Sequence, residues 1–194
     1  MSRSELAEQV RLSLWLPPPP KAAKILQGVI DKLADKYDSP KFQPHITLLT
    51  RVPEGMSVDE VLVRIRSVVP PEEPLHIKLS RVESGGHFFQ CVLAPVEQTD
   101  YLMALNAEVR KAISPHDTAK YFPHLSLIYG DYTKEKKDGI VQDIYDEGLA
   151  DQRMDGVEIA GIEAFEVTEI WVVDTSKPID QWKDSLVGKE SIIS

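Results

Sequence analysis

The sequence predicts an α+β fold, and three observations carry that prediction. Helix-period and strand-period stretches are interleaved from Gln9 to Asp174 of the 194 residues. One pair of strand-like stretches is joined by a glycine turn, as in an antiparallel hairpin. Two short strands of matching composition, His45-Ile46-Thr47-Leu48 and His124-Leu125-Ser126-Leu127, recur in comparable strand and helix surroundings.

Taken in order, Gln9 to Leu16 alternates, with Val10, Leu12, Leu14 and Leu16 on one side and Arg11, Ser13 and Trp15 on the other, which predicts a strand. Pro17 to Pro20 end it and enter a helix, because proline is tolerated in a first turn. Residues 21–37 carry Ile25, Leu26, Val29, Ile30 and Leu33 at helical spacing, an amphipathic helix with a core face. Phe42 to Val52 holds the first matched strand. Ser57 to Val69 predicts a second helix, with Ser57 as N-cap and Glu60 three residues on; Pro70, Pro71 and Pro74 end it. Leu75 to Glu83 predicts a strand, Ser84-Gly85-Gly86 a hairpin turn, and His87 to Val96 the returning partner.

Thr99 to Ile113 predicts a third helix, and Ser114 to Tyr121 a linker into the second matched strand. Tyr132 to Leu149 reads as a polar helix rich in lysine. Val157 to Thr168 and Glu169 to Asp174 read as strands. From Pro178 onward the tail is expected to pack around Trp182 and then fray.

The two matched strands are 79 positions apart, from residue 45 to residue 124. Each is introduced by Phe and Pro, then reads His, apolar, hydroxyl, apolar. Proline biases the residue before it to extended backbone, and alternation then puts His45 and Thr47 on one face and Ile46 and Leu48 on the other. His124 and Ser126 oppose Leu125 and Leu127 in the same way. The apolar face belongs to the core, so the polar face looks into water or a cleft. A lone His-x-Thr on a strand is more often structural than functional. Two copies that repeat residue type, order and spacing are better explained as an internal repeat of a strand unit.

Paired motifs of this kind, one in each half of the chain, resemble those of the two-histidine phosphoesterase superfamily. Within it the chain looks like the small cyclic phosphodiesterases of fungi and plants. Ser13-Leu14-Trp15-Leu16-Pro17 and Phe88-Phe89-Gln90-Cys91-Val92 are similar to that group as well. The resemblance implies a single two-lobed domain over 1–194, with two pseudo-two-fold-related lobes, each an antiparallel sheet with outer helices, around a central cleft. It implies hydrolysis of 2′,3′-cyclic nucleotides to 2′-phosphates, and of ADP-ribose 1″,2″-cyclic phosphate to the 1″-phosphate, in disposal of a tRNA-splicing by-product. Opening such a ring needs water deprotonated on one side of phosphorus and the leaving sugar oxygen protonated on the other, which two imidazoles supply without a metal or cofactor. The family's division of labour falls on His124 as base and His45 as acid, with Thr47 and Ser126 donating to the non-bridging oxygens.

Tyr129 is the next candidate for the site. Its spacing of five from His124 is odd, so a regular strand would turn it to the opposite face unless the strand ends there, which Gly130 would permit. Phe88 and Phe89 are expected to alternate in a strand, with Phe89 toward the cleft as a stacking surface for a base. His76 is expected at the surface, His87 at the cleft mouth and His116 in a loop.

Composition bounds the alternatives. Apolar residues are 42% and charged residues 27%, with a net charge of −9 and a pI near 5.1. That acidity disfavours long nucleic acid and RNA end-processing, and suits a small anionic cyclic phosphate. No run of about 18 apolar residues exists for a membrane span. Met1 to Leu6 lacks a hydrophobic signal core, and Cys91 is the single cysteine, so an intracellular protein without internal disulfides is expected, in the cytoplasm or an endomembrane-associated compartment; a monomer is the separate expectation. There is no His-x-His, no His-Glu-x-x-His and no paired cysteine of metal-site type, and Ser126 lacks the Gly-x-Ser-x-Gly turn of a serine nucleophile. A non-catalytic nucleotide-binding module on the same cleft is the rival of a different class.

Overall fold

The computed structural model describes residues 10–69 and 73–193. The readings made above on Met1 to Leu6, on Gln9 and on Pro70 and Pro71 lie outside the described residues.

The chain begins with a strand, a helix and a strand: β1 (Leu12–Leu16), α1 (Pro20–Tyr37) and β2 (Ile46–Leu49). Pro20 occupies the first helical position of α1, and the Pro19 carbonyl accepts from the Ala23 N–H at 2.8 Å. Asp38, with φ 54°, ends the helix in left-handed conformation. α2 (Val58–Val68) follows, and the Ser57 hydroxyl accepts from the Glu60 N–H at its start, as the sequence predicts. Next come β3 (Leu75–Lys78), β4 (Glu83–Ser84), β5 (Val92–Pro95), α3 (Asp100–Ile113) and β6 (His124–Ile128). The chain closes with α4 (Lys134–Asp146), β7 (Ala150–Gln152), β8 (Val157–Ile159), β9 (Ala164–Val167), β10 (Glu169–Asp174) and β11 (Leu186–Ser191).

This is the α+β architecture expected, built on an antiparallel sheet of order β11-β10-β1-β2-β6-β5-β4. β1, α1 and β2 form one unit, and β5, α3 and β6 repeat it; in each, the helix joins two antiparallel neighbours. The units meet where β2 faces β6, through the pair Ile46–Leu125. On one side of this seam lie β2, β1, β10 and β11. On the other lie β6, β5 and β4, continued by β3 through the Leu79–Val96 bridge, and β3 pairs in turn with β9. One hydrophobic core runs under both sides. A second, mainly aromatic cluster comprises Trp15, Ile30, Phe42, Tyr129, Val173 and Trp182. Among the described residues, no helix is long and apolar enough to cross a membrane.

The structure corrects five expectations. Leu75 to Glu83 is not one strand in a hairpin: β3 ends at Lys78 and pairs with β9, and only Glu83–Ser84 pairs with β5. His87 to Val96 is not one strand: Phe88–Gln90 forms a 3-10 turn and the ladder resumes at Val92. The Gly85 N–H donates to the Cys91 carbonyl at 3.0 Å and closes a loop there, so Phe88 and Phe89 do not alternate in a strand. A Cβ on Gly85 would lie 1.9 Å from the Gln90 carbonyl oxygen, which is why glycine is needed at that turn. Val157 to Thr168 is broken at Ala160 and Gly161, whose φ values are 48° and 87°. The tail does not fray: Trp182 is buried in a second 3-10 turn and β11 pairs with β10 from Leu186 to Ser191. β7 carries no strand pattern of its own, and pairing with β8 creates it.

Candidate active site

Strand register brings the two motifs together. Carried outward from Ile46–Leu125, the antiparallel pairing sets His45 across from Ser126 and Thr47 across from His124. All four line a single cavity of about 500 Å³ with Trp15, Phe89, Tyr129 and Trp182.

The two histidines are held alike. His45 Nδ1 lies 2.6 Å from the Gln43 carbonyl and His124 Nδ1 lies 2.7 Å from the Phe122 carbonyl, in each case two residues upstream. A carbonyl only accepts, so Nδ1 carries the proton and Nε2 of the neutral ring keeps its lone pair for the cavity. Each ring also has an aromatic neighbour. Trp15 stacks on His45 with centroids 3.6 Å apart and planes 7° apart, and Phe122 stacks on His124 at 5.4 Å. The Trp15 indole N–H donates to the Ser13 hydroxyl at 3.0 Å, which donates to the Leu49 carbonyl at 3.0 Å, so the plate under His45 is itself fixed.

Their environments differ in depth. His45 is buried and His124 half-buried. Burial pushes His45 down to about 4, against the Gln43 carbonyl that favours its charged form, and the nearby His124 adds to the downward push. Burial also lowers His124, opposed by the Phe122 carbonyl.

The hydroxyls are not equivalent either. Thr47 makes no side-chain hydrogen bond to any described residue, whereas Ser126 Oγ donates to the Phe89 carbonyl at 3.0 Å. Tyr129 reaches the cavity because β6 ends at Ile128, one residue before it, which resolves the odd spacing. It stacks on Phe42 at 3.7 Å, and burial drives its phenol far above the usual value, opposed by the nearby Ser126. Phe89 is 50% exposed at the cavity wall, and its ring lies 6.0 Å from that of Trp182 at an angle of 22°. His87 also lines the cavity, while His76 lies at the surface, 2.7 Å from Glu166.

Sequence reasoning missed Ser13, Trp15, Trp182, Gln90, Arg11 and Arg51 as lining residues. For Trp15 the signal lies in register: it pairs with Thr47 across β1 and β2, which brings it under His45. Electrostatically the cavity inverts the surface. Among the described residues its lining has three histidines, two arginines and no Asp or Glu, in a chain of net charge −9. Such a site can hold an anion between two imidazoles, with hydroxyls at its sides and aromatic rings beyond.

Residues 10–190 match the model of a family described as cyclic phosphodiesterase-like protein. A cyclic phosphodiesterase of Arabidopsis thaliana is 26% identical over 145 residues, 75% of this chain and 77% of the relative. A 2′,3′-cyclic-nucleotide 3′-phosphodiesterase of Phaeosphaeria nodorum is 25% identical, with 88% of this chain and 94% of the relative covered. In fold, the chain resembles Escherichia coli LigT solved with 3′-AMP (TM-score 0.62, 13% identity, 96% and 99% of the two chains). It also resembles TT0787 of Thermus thermophilus (TM-score 0.59, 16% identity, 94% and 97%).

Proposed function

The chain belongs to the cyclic phosphodiesterase-like family, and on that premise we propose that it hydrolyses 2′,3′-cyclic nucleotides to 2′-phosphates with His45 and His124 as its acid and base. Cyclic phosphodiester hydrolysis is its activity as a member of this family. The observation that carries the finer reading is that both motifs' histidines and hydroxyls line one cavity about the Ile46–Leu125 pair, with both Nδ1 atoms tied to carbonyls.

In the reaction, His124 Nε2 takes a proton from water as the water oxygen bonds to phosphorus. The bond from phosphorus to the 3′ oxygen breaks, and His45 Nε2 gives that oxygen a proton. His124, the less buried ring, is the one that water reaches. His45 is neutral in the free protein near pH 7, so it gains its proton with the substrate. The phosphate's negative charge and the indole face of Trp15 both favour the imidazolium. Thr47 donates to a non-bridging oxygen as charge builds there. Ser126 does the same once it turns from the Phe89 carbonyl. The base lies against Phe89, beside Tyr129 and Trp182.

The same arrangement opens ADP-ribose 1″,2″-cyclic phosphate to the 1″-phosphate, which links the protein to disposal of a tRNA-splicing by-product. The two lobes act as one unit on a small substrate.

The test is turnover of 2′,3′-cyclic AMP in EDTA beside His45→Ala and His124→Ala, with the product's phosphate position read by chromatography. Wild type is expected to form the 2′-phosphate, and each variant to fall about a hundredfold or more. Binding without turnover would favour the nucleotide-binding module, and activity abolished by EDTA would sink the metal-free mechanism.

A further inference from the structure

An arginine on an acidic protein ordinarily finds a carboxylate, and here most do. Arg64 pairs with Glu60 at 2.6 Å, Arg66 with Glu190 at 2.6 Å, Arg81 with Glu83 at 2.5 Å, Arg110 with Asp117 at 3.8 Å and Arg153 with Glu158 at 2.8 Å. Arg11 and Arg51 are the remaining described arginines. Neither side chain has an ion pair or hydrogen bond with a described residue, and both line the catalytic cavity. They are neighbours, because the Val52 N–H donates to the Leu12 carbonyl at 2.8 Å and so draws the start of β1 alongside the end of β2. Thr50 and Thr175 line the cavity with them, and the Thr175 hydroxyl donates to the Arg11 carbonyl at 3.0 Å.

We propose that Arg11 and Arg51 form a second anion subsite, which takes a phosphoryl group on the 5′ side of a nucleoside 2′,3′-cyclic phosphate. The proposal rests on the hydrolytic reading of His45 and His124. Arg51 lies four residues along the chain from Thr47, two past the end of β2, so at most about 13 Å separates them along the backbone. The reacting phosphate at Thr47 and a second phosphoryl at Arg51 are thus separated on the scale of one nucleoside. A guanidinium fork matches phosphate oxygens two at a time. With no carboxylate among the described lining residues, nothing there competes for the pair.

The experiment compares kcat/KM for adenosine 2′,3′-cyclic phosphate and for its 5′-phosphorylated counterpart, at low and at physiological salt. In wild type the 5′-phosphate is expected to raise kcat/KM about tenfold or more, through KM, with the advantage shrinking as salt rises. In Arg11→Ala/Arg51→Ala the ratio between the two substrates is expected to fall toward one. In Lys21→Gln/Lys24→Gln, which removes two exposed charges outside the cavity, the wild-type ratio should persist. A wild-type ratio near one, or an equal ratio in the arginine double variant, overturns the subsite. If wild type turns over neither compound, the hydrolytic reading fails separately. Calorimetric Kd values for the same two compounds then decide the subsite by the same ratio.

Discussion

Ile46 and Leu125 face each other across β2 and β6, and the pseudo-two-fold relation between the two halves of the protein passes through them. Both side chains are fully buried, so the pair anchors the seam while the residues on either side of it project into the cleft. The exchange of partners follows: His45 opposite Ser126, Thr47 opposite His124. At the hydroxyls the symmetry is broken, since Ser126 is engaged with Phe89 and Thr47 is not.

That difference predicts unequal roles. Thr47→Val keeps the shape of the side chain and removes its hydroxyl. It is expected to lower kcat about a hundredfold with little change in KM, the signature of a donor used in the transition state. Steady-state kinetics at saturating 2′,3′-cyclic AMP would show it. A change in KM alone would mean that Thr47 only helps to bind.

His45 makes stability depend on pH. Unfolded, its imidazole takes a proton below about 6.5; folded, it does so only below about 4. Between these values the unfolded chain holds more protons, so stability is fully present above pH 6.5 and drains as pH falls toward 4. The loss attributable to His45 is expected to reach about 3 kcal/mol. His45→Asn should flatten the dependence, leaving the part due to His124, which is shifted in the same direction. Urea unfolding at pH 7 and pH 4.5 measures both proteins; identical slopes would refute the assignment.

Tyr129 joins the aromatic cluster to the site. Tyr129→Phe keeps the stack on Phe42 and removes only the phenol hydroxyl, so a cost of no more than about 1 kcal/mol is expected. Tyr129→Ala also empties a buried ring site and should cost about 3–5 kcal/mol. Thermal unfolding of the two variants separates the packing from the hydroxyl.

Phe89 is placed to read the base and not the phosphate. Phe89→Ala is expected to raise KM for 2′,3′-cyclic AMP about tenfold to a hundredfold. KM for ethylene cyclic phosphate, which has no ring to stack, should stay as it was. An equal effect on both compounds would instead point to collapse of the loop closed at Gly85.

Much of this site is legible in the sequence, and the boundary has physical causes. Alternation along a strand is local, so it places His45 with Thr47 and His124 with Ser126 on one face without knowledge of any partner. Tyr129 escapes that logic because its direction depends on where the ladder stops. Phe88 and Phe89 escape it because the Gly85 turn replaces the strand with a 3-10 turn. Trp15 sits on the face that alternation assigned, yet its position under His45 depends on the shift in β1–β2 register between Leu14 and Trp15. Arg11 and Arg51 are ordinary surface cations in sequence, and only the partners found by the other arginines set them apart.

The sheet order has a consequence for the newly made chain. The strands on the β6 side of the seam, with β9 beyond β3, come from one continuous stretch between Leu75 and Val167. The β2 side is assembled from both ends, since β1 must wait for β10, about a hundred and sixty residues later on the ribosome. The central stretch can therefore close while the rest is still being synthesised. His45, made early, receives its settled place only when β10 arrives to support β1 and Trp15. Until then the two histidines belong to one polypeptide without sharing a reaction chamber.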